Sequence, residues 1–122
     1  MKERNDERAA ELRELFFESA EGLLQALNDG ALQLEKLPAD TEVVRGIRRT
    51  VHTLKGDAAA CGYRDLSEIA HKMADALALD SACKDASLVD VVLNAADLFG
   101  SMLNAYRQGE KPPSTTALKN IL

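Results

Sequence analysis

Apolar residues recur at three- and four-residue steps through most of the chain, the spacing that puts one stripe on one face of a helix. The first such run holds Leu12, Leu15, Phe16, Ala20, Leu23, Leu27, Ala31 and Leu34. Asn28-Asp29-Gly30 could break it, but the stripe keeps phase across Gly30, which predicts one long helix stopped by Pro38. Asp40 or Thr41 then caps a second helix with Val44, Ile47, Val51, Leu54, Ala58 and Cys61 on its stripe, ending near Gly62. Asp65 with Glu68 forms a capping-box pattern for a third helix burying Leu66, Ile69, Ala70, Met73 and Leu77. Asp80 to Asp85 is a polar loop. Ser87 with Asp90 starts a fourth helix, which buries Leu88, Val91, Val92, Ala95, Leu98, Phe99, Met102 and Tyr106 and is closed by Gly109. Lys111-Pro112-Pro113 is a stiff linker, and Ser114 caps a short final helix ending at Leu122.

No period-two pattern predicts a strand. The expected fold is all-α: an antiparallel up-down-up-down four-helix bundle with a short extra C-terminal helix. Its divisions are a frayed charged segment at residues 1–8, the bundle at 9–109, and a linker with its short helix at 110–122. A coiled-coil dimer is the competing use of such stripes, but the proline and loop breaks argue against one long coil and for a monomer.

A chain of 122 residues is long enough for one core. Its net charge of −5 makes nucleic acid an unsuitable partner. Cys61 and Cys83 form no CxxC pair, and Cys61 on the second stripe is expected in the core, which fits a reducing, cytoplasmic setting. The N-terminus is charged from Lys2 to Arg8, unlike a secretory signal, and no apolar run is expected to span a membrane.

The chemistry concentrates on the second helix. His52 falls roughly 130° from the centre of its stripe and points to water. Its helical neighbours are Arg45, Arg48, Lys55, Gly56 and Ala59. Cations stabilise a phosphoryl group placed nearby, and a neutral imidazole nitrogen can accept one in line. Glycine inside a helix costs about 1 kcal/mol relative to alanine, so Gly56 one turn after His52 suggests that a side chain there would obstruct an incoming protein. The plain alternative is a histidine on a solvated face. Two histidines 19 positions apart with no supporting ligands make a poor zinc site, and neither a GxSxG elbow nor a glycine-rich phosphate loop is present.

His52-x-x-Lys55-Gly56, the small residues that follow, and Gly62-Tyr63 resemble the phosphorylation motif of histidine phosphotransfer (HPt) domains. Asp65-Leu66-x-x-Ile69-Ala70-His71-x-Met73, and upstream Leu15-Phe16-Phe17-Glu18-Ser19-Ala20-Glu21-Gly22-Leu23-Leu24, are similar to the N-terminal phosphotransfer domain of CheA-type chemotaxis kinases. The resemblance covers about residues 10 to 108. It implies that His52 takes a phosphoryl group from a histidine kinase catalytic domain and passes it to the aspartate of a response-regulator receiver domain. In that reading Lys55 steadies the phosphoryl charge, Gly56 gives clearance, and Arg45, Arg48 and Ala59 meet the partner. No cofactor is bound by this chain, and ATP and magnesium belong to the partner domains. The resemblance also implies that His71 and a glutamate three residues on form a hydrogen-bond network with the phosphorylated histidine. Here Ala74 stands at the glutamate position, and neighbouring Asp75 is expected to point elsewhere. That departure supports a rival reading, a docking bundle that has lost the chemistry. Nothing resembles an ATP-binding kinase domain, so the chain is no self-sufficient kinase, and Pro112-Pro113 looks like the start of an interdomain linker.

Overall fold

The computed structural model describes the backbone of residues 2–37, 40–78 and 88–121, and the side chains of 7–37, 40–78 and 88–118. Its helices are α1 (Lys2–Lys36), α2 (Thr41–Ala60), α3 (Arg64–Leu77), α4 (Leu88–Arg107) and α5 (Thr116–Ile121). There is no strand among the described residues. The expected stop at Pro38, the Asp80–Asp85 loop, Cys83, the Ser87 cap and the end at Leu122 lie outside the described residues.

Contacts set the topology. Gly30 of α1 lies against Ile47 of α2, and Ser19 donates a hydrogen bond to Asp57 at 3.3 Å, so these two helices run antiparallel. Ser67 of α3 donates to the Lys55 carbonyl at 3.1 Å, and Asp75 and Arg45 share a groove, so α2 and α3 are also antiparallel. Arg107 pairs with Glu21 at 2.7 Å, and Leu24 touches Gly100, which places α4 antiparallel to α1. The bundle is therefore up-down-up-down, as the apolar stripes predict. Its largest wholly buried side chains include Phe17, Phe99, Leu27, Leu54, Leu66 and Met73. Full burial of a side chain of this size stabilises by about 1.5–3 kcal/mol.

Local signals account for several boundaries. Asp40 is the N-cap of α2, its carboxylate accepting from the Glu42 and Val43 N–H groups at 2.9 and 3.3 Å. Gly62, at φ +83°, ends α2: its N–H reaches the Ala59 carbonyl while that of Tyr63 reaches Ala58. Only a left-handed residue allows that pair of bonds. Helix α1 continues unbroken through Gly30, and a Cβ there would lie 2.6 Å from Ile47 Cγ1. The glycine therefore permits α1 and α2 to approach closely.

Other expectations are corrected. Helix α1 begins at Lys2 rather than after a frayed 1–8, since the charged residues of that run are good helix formers. Leu12 and Leu15 are 61% and 60% exposed, because α2 ends beside them at Ala60 and Cys61 and no described residue covers their face. Phe17 is buried instead, at one end of the bundle. There Phe16 stacks on Tyr63, Tyr63 on Tyr106, and the Arg13 and Arg107 guanidiniums lie over Phe17. Cys61 is exposed rather than in the core, because it is the C-cap, where the helical phase has ended. Helix α3 starts at Arg64 with Tyr63 as N-cap and no side-chain cap bond, so the Asp65–Glu68 capping box does not form. The Tyr106 ring of α4 stacks on Tyr63 at this helix start, with centroids 4.4 Å apart.

On α4 the buried stripe is rotated slightly: Ala96, Leu103 and Ala105 are buried, whereas Val91, Leu98 and Tyr106 are half-buried. Contrary to expectation, α4 is long and apolar enough to cross a membrane by length and composition alone, with a mean hydropathy of 1.3. Its apolar side is the bundle core, and a core helix passes the same test. After the extended segment 111–115, Ser114 Oγ accepts from the Thr116 N–H at 3.3 Å and supports the start of α5. Helix α5 then packs on α3 and α4 with Leu118 buried, so this tail folds back on the bundle.

Candidate functional site

Helices α2 and α3 each bury one stripe and leave the opposite side to water. Val51 and Leu54 are fully buried, which turns His52 between them outwards. Ala70 and Met73 are likewise buried, and His71 stands between them with its side chain 57% exposed. Antiparallel packing then brings both imidazoles to one open groove. Glu42, Arg45, Arg48, Arg49, Thr53 and Lys55 line it from α2, and Ala74 and Asp75 from α3. A second groove adjoins it at Lys55 and His71 and runs over Gly56, Ala59 and Ser67. Arg45, Arg48, His52, Lys55, Gly56, Ala59 and His71, all singled out in the sequence, thus line one continuous surface.

The electrostatics of this surface are uneven. Glu42 is tied to Arg45 at 2.9 Å, and Asp75 Oδ2 lies 3.4 Å from His71 Nε2. Among the described residues no ion pair engages Arg48 or Arg49. The groove is locally cationic within a chain of net charge −5. The two arginines sit one turn before His52 and Lys55 one turn after it, the spacings at which helical side chains are neighbours.

The Asp75 contact corrects the expectation that Asp75 points elsewhere. Ala74, 8% exposed, belongs to the core edge, whereas Asp75 stands one full turn beyond His71 on the same face. Spacing of i to i+4 is as close on a helix as i to i+3, so a carboxylate at 75 reaches the ring. Nε2 then donates when protonated, leaving Nδ1 as the ring's other nitrogen.

Clearance is also visible. A Cβ at Gly56 would meet nothing within 4 Å, so no packing among the described residues calls for glycine there. Gly56 and Ala59 leave a low floor beside His52. Cys61 lies at the far end of α2, where desolvation, then Asp57, push its thiol pKa up. Among the described residues no group of three or more His, Cys, Asp or Glu could hold a metal ion.

Sequence reasoning missed Arg49, Thr53 and Ser67. Arg49 was within reach of it, since i−3 from His52 is a neighbouring helical position. Thr53 sits beside His52 with its hydroxyl bonded to the Arg49 carbonyl at 3.0 Å. Ser67 joins the surface only through the packing of α3 on α2.

The fold is thus an all-helical bundle whose exposed histidine faces a cationic groove, and sequence comparison gives the class. The family model described as Hpt domain matches residues 11–109, and the chain belongs to this family. It is similar to the chemotaxis protein CheA of Listeria monocytogenes serovar 1/2a, 33% identical over 99 residues, covering 79% of this chain and 16% of that protein. The chemotaxis protein CheA of Rhizobium meliloti is 33% identical over 102 residues, 81% of this chain and 14% of its own length. That of Bacillus subtilis is 31% identical over 99 residues, 79% and 15%. The chain thus spans between about a tenth and a sixth of the length of the curated relatives it matches.

Proposed function

We propose that this domain carries a phosphoryl group on His52 in a chemotaxis-type two-component relay. A histidine kinase catalytic domain supplies the group with its own ATP and magnesium, and a response-regulator receiver aspartate takes it. The observation that carries this reading is the exposed His52 flanked by Arg48, Arg49 and Lys55 in a chain of the Hpt family. A neutral ring nitrogen attacks phosphorus, the N–P bond forms, and the bond to the nucleotide's leaving oxygen breaks. Lys55 steadies the developing charge, and Gly56 and Ala59 admit the partner's backbone. In this reading His71, which shares the groove and lies 3.4 Å from Asp75, orients the ring of His52. Exchange with a kinase and a receiver would set the domain in the cytoplasm, and the bundle acts as a monomer.

The test is incubation with ATP, magnesium and a CheA-type kinase core, followed by mass spectrometry. One acid-labile phosphoryl group is expected on His52, and none on His52→Gln, which keeps its thermal stability because the residue is exposed. Uptake by the Gln variant would refute the site. Ala74, where the family resemblance implies a glutamate, favours the second reading of a docking bundle without transfer. Receiver binding that persists while no donor phosphorylates His52 would select it.

A further inference from the structure

We infer that His52 also accepts a phosphoryl group directly from small anionic phosphoryl donors with good leaving groups, without any kinase domain. The inference rests on the reading of His52 as the acceptor and extends it to a second class of donor. Three features of the groove carry it.

The first is access. His52 is exposed in an open groove of about 770 Å³, far larger than a phosphate-sized anion, and no segment of the described chain has to move to admit one.

The second is unspent charge. Of the two carboxylates lining this groove, Glu42 is paired with Arg45 at 2.9 Å, and Asp75 lies on the α3 side, 3.4 Å from His71. Arg48 and Arg49 have no such partner among the described residues and flank the nucleophile one turn away. Guanidinium groups offer forked donors matched to phosphoryl oxygens. An anionic phosphoryl group drawn to them is held on the same helix face as the imidazole, and positioning is much of the barrier in such a transfer.

The third is what the groove lacks. Among the described residues no carboxylate cluster suits a metal ion that would offset charge on a departing nucleotide diphosphate. Donors whose leaving group departs unaided need no such ion. Phosphoramidate carries its proton on nitrogen: the imidazole lone pair forms the new N–P bond, the donor's P–N bond breaks, and ammonia leaves. Acetyl phosphate follows the same course with P–O cleavage and release of acetate. In both cases the imidazolium then gives up its surplus proton to water.

The experiment mixes the whole chain with phosphoramidate, and separately with acetyl phosphate, near neutral pH. Intact-mass spectrometry and peptide mapping follow the uptake, and a parallel sample contains a CheA-type kinase core with ATP and magnesium. One acid-labile phosphoryl group on His52 is expected from phosphoramidate, with none on a His52→Gln variant whose circular dichroism shows it folded. Arg48→Gln/Arg49→Gln should slow uptake about threefold to tenfold, the range for two solvent-exposed charges. Uptake by the parent protein should also slow as salt rises from low ionic strength, because exposed charges are screened beyond about 10 Å at 0.1 M. No uptake from either small donor overturns the inference, as does uptake retained by His52→Gln. So does a rate indifferent both to salt and to the arginine replacements. Phosphorylation by the kinase core alone would overturn only the small-donor activity, whereas failure with every donor would overturn the phosphoryl-carrier reading as well.

Discussion

Replacing Gly56 by alanine separates what the bundle needs from what a partner needs. Gly56 lies inside α2, on the exposed face, with open space where its Cβ would stand. Within the free domain the substitution changes only helix propensity, worth about 0.8–1 kcal/mol in favour of alanine. For a domain of this size that corresponds to a rise in melting temperature of about 3–5 °C. Docking should respond in the opposite sense. If a partner's backbone passes over Gly56 to reach His52, an added methyl group overpacks that contact at about 1–3 kcal/mol. Phosphorylation by a kinase core would then slow by about fivefold to 150-fold, since each 1.36 kcal/mol is a factor of ten. Gly56→Leu should be more severe. Circular dichroism melts at 222 nm and single-turnover phosphorylation assays read the two effects on the same samples. A lower melting temperature for Gly56→Ala would refute the open geometry of this face. Unchanged transfer rates in both Gly56→Ala and Gly56→Leu would refute the clearance role.

Gly30→Ala should behave unlike other helix glycines, because its Cβ would lie 2.6 Å from Ile47 Cγ1 in the core. The propensity gain of about 1 kcal/mol meets an overpacking cost of about 1–3 kcal/mol, so urea melts should show zero to about 2 kcal/mol of lost stability. A gain matching that of Gly22→Ala, where no atom is near, would contradict this. Asp40→Ala removes the N-cap bonds of α2 and should cost about 1 kcal/mol in the same assay. Stability unchanged within error would show that another group satisfies the Glu42 and Val43 amides. At alkaline pH, burial chiefly, with Asp65 nearby, raises the Tyr106 pKa above 10.0, so the unfolded chain loses this proton first. The phenol's contribution is present below that value and is lost as pH rises through the folded one. Urea midpoints should therefore fall more steeply above pH 10.0 in the parent protein than in Tyr106→Phe, and equal slopes would remove Tyr106 as the cause.

Much of this molecule follows from local rules acting along the chain. The 3.6-residue spacing of Val44, Ile47, Val51, Leu54 and Ala58 defines a buried stripe, and by subtraction it turns His52, Arg48 and Gly56 to water. Capping by Asp40 and the left-handed turn at Gly62 depend on short-range chemistry that is written in the residues themselves. So is the phase of α1 through Gly30. Where packing between helices competes with periodicity, local rules fail. Leu12 and Leu15 satisfy the stripe of α1 yet stay exposed, because α2 ends beside them and leaves their face uncovered. Cys61 continues the α2 stripe on a wheel, but the helix has already ended. Tyr63 starts α3 without a side-chain cap, while the Tyr106 ring from α4 stacks on it, a contact between residues 43 positions apart. The candidate site divides in the same way. His52 and its flanking cations belong to one helix and were legible there. The juxtaposition of His71 with Lys55, the bond from Ser67 to the Lys55 carbonyl and the shared groove arise only when α3 packs antiparallel on α2. Asp75 shows how narrow the margin is: one helical position separates a carboxylate expected to point away from one 3.4 Å from the ring, and side-chain reach in three dimensions decided it.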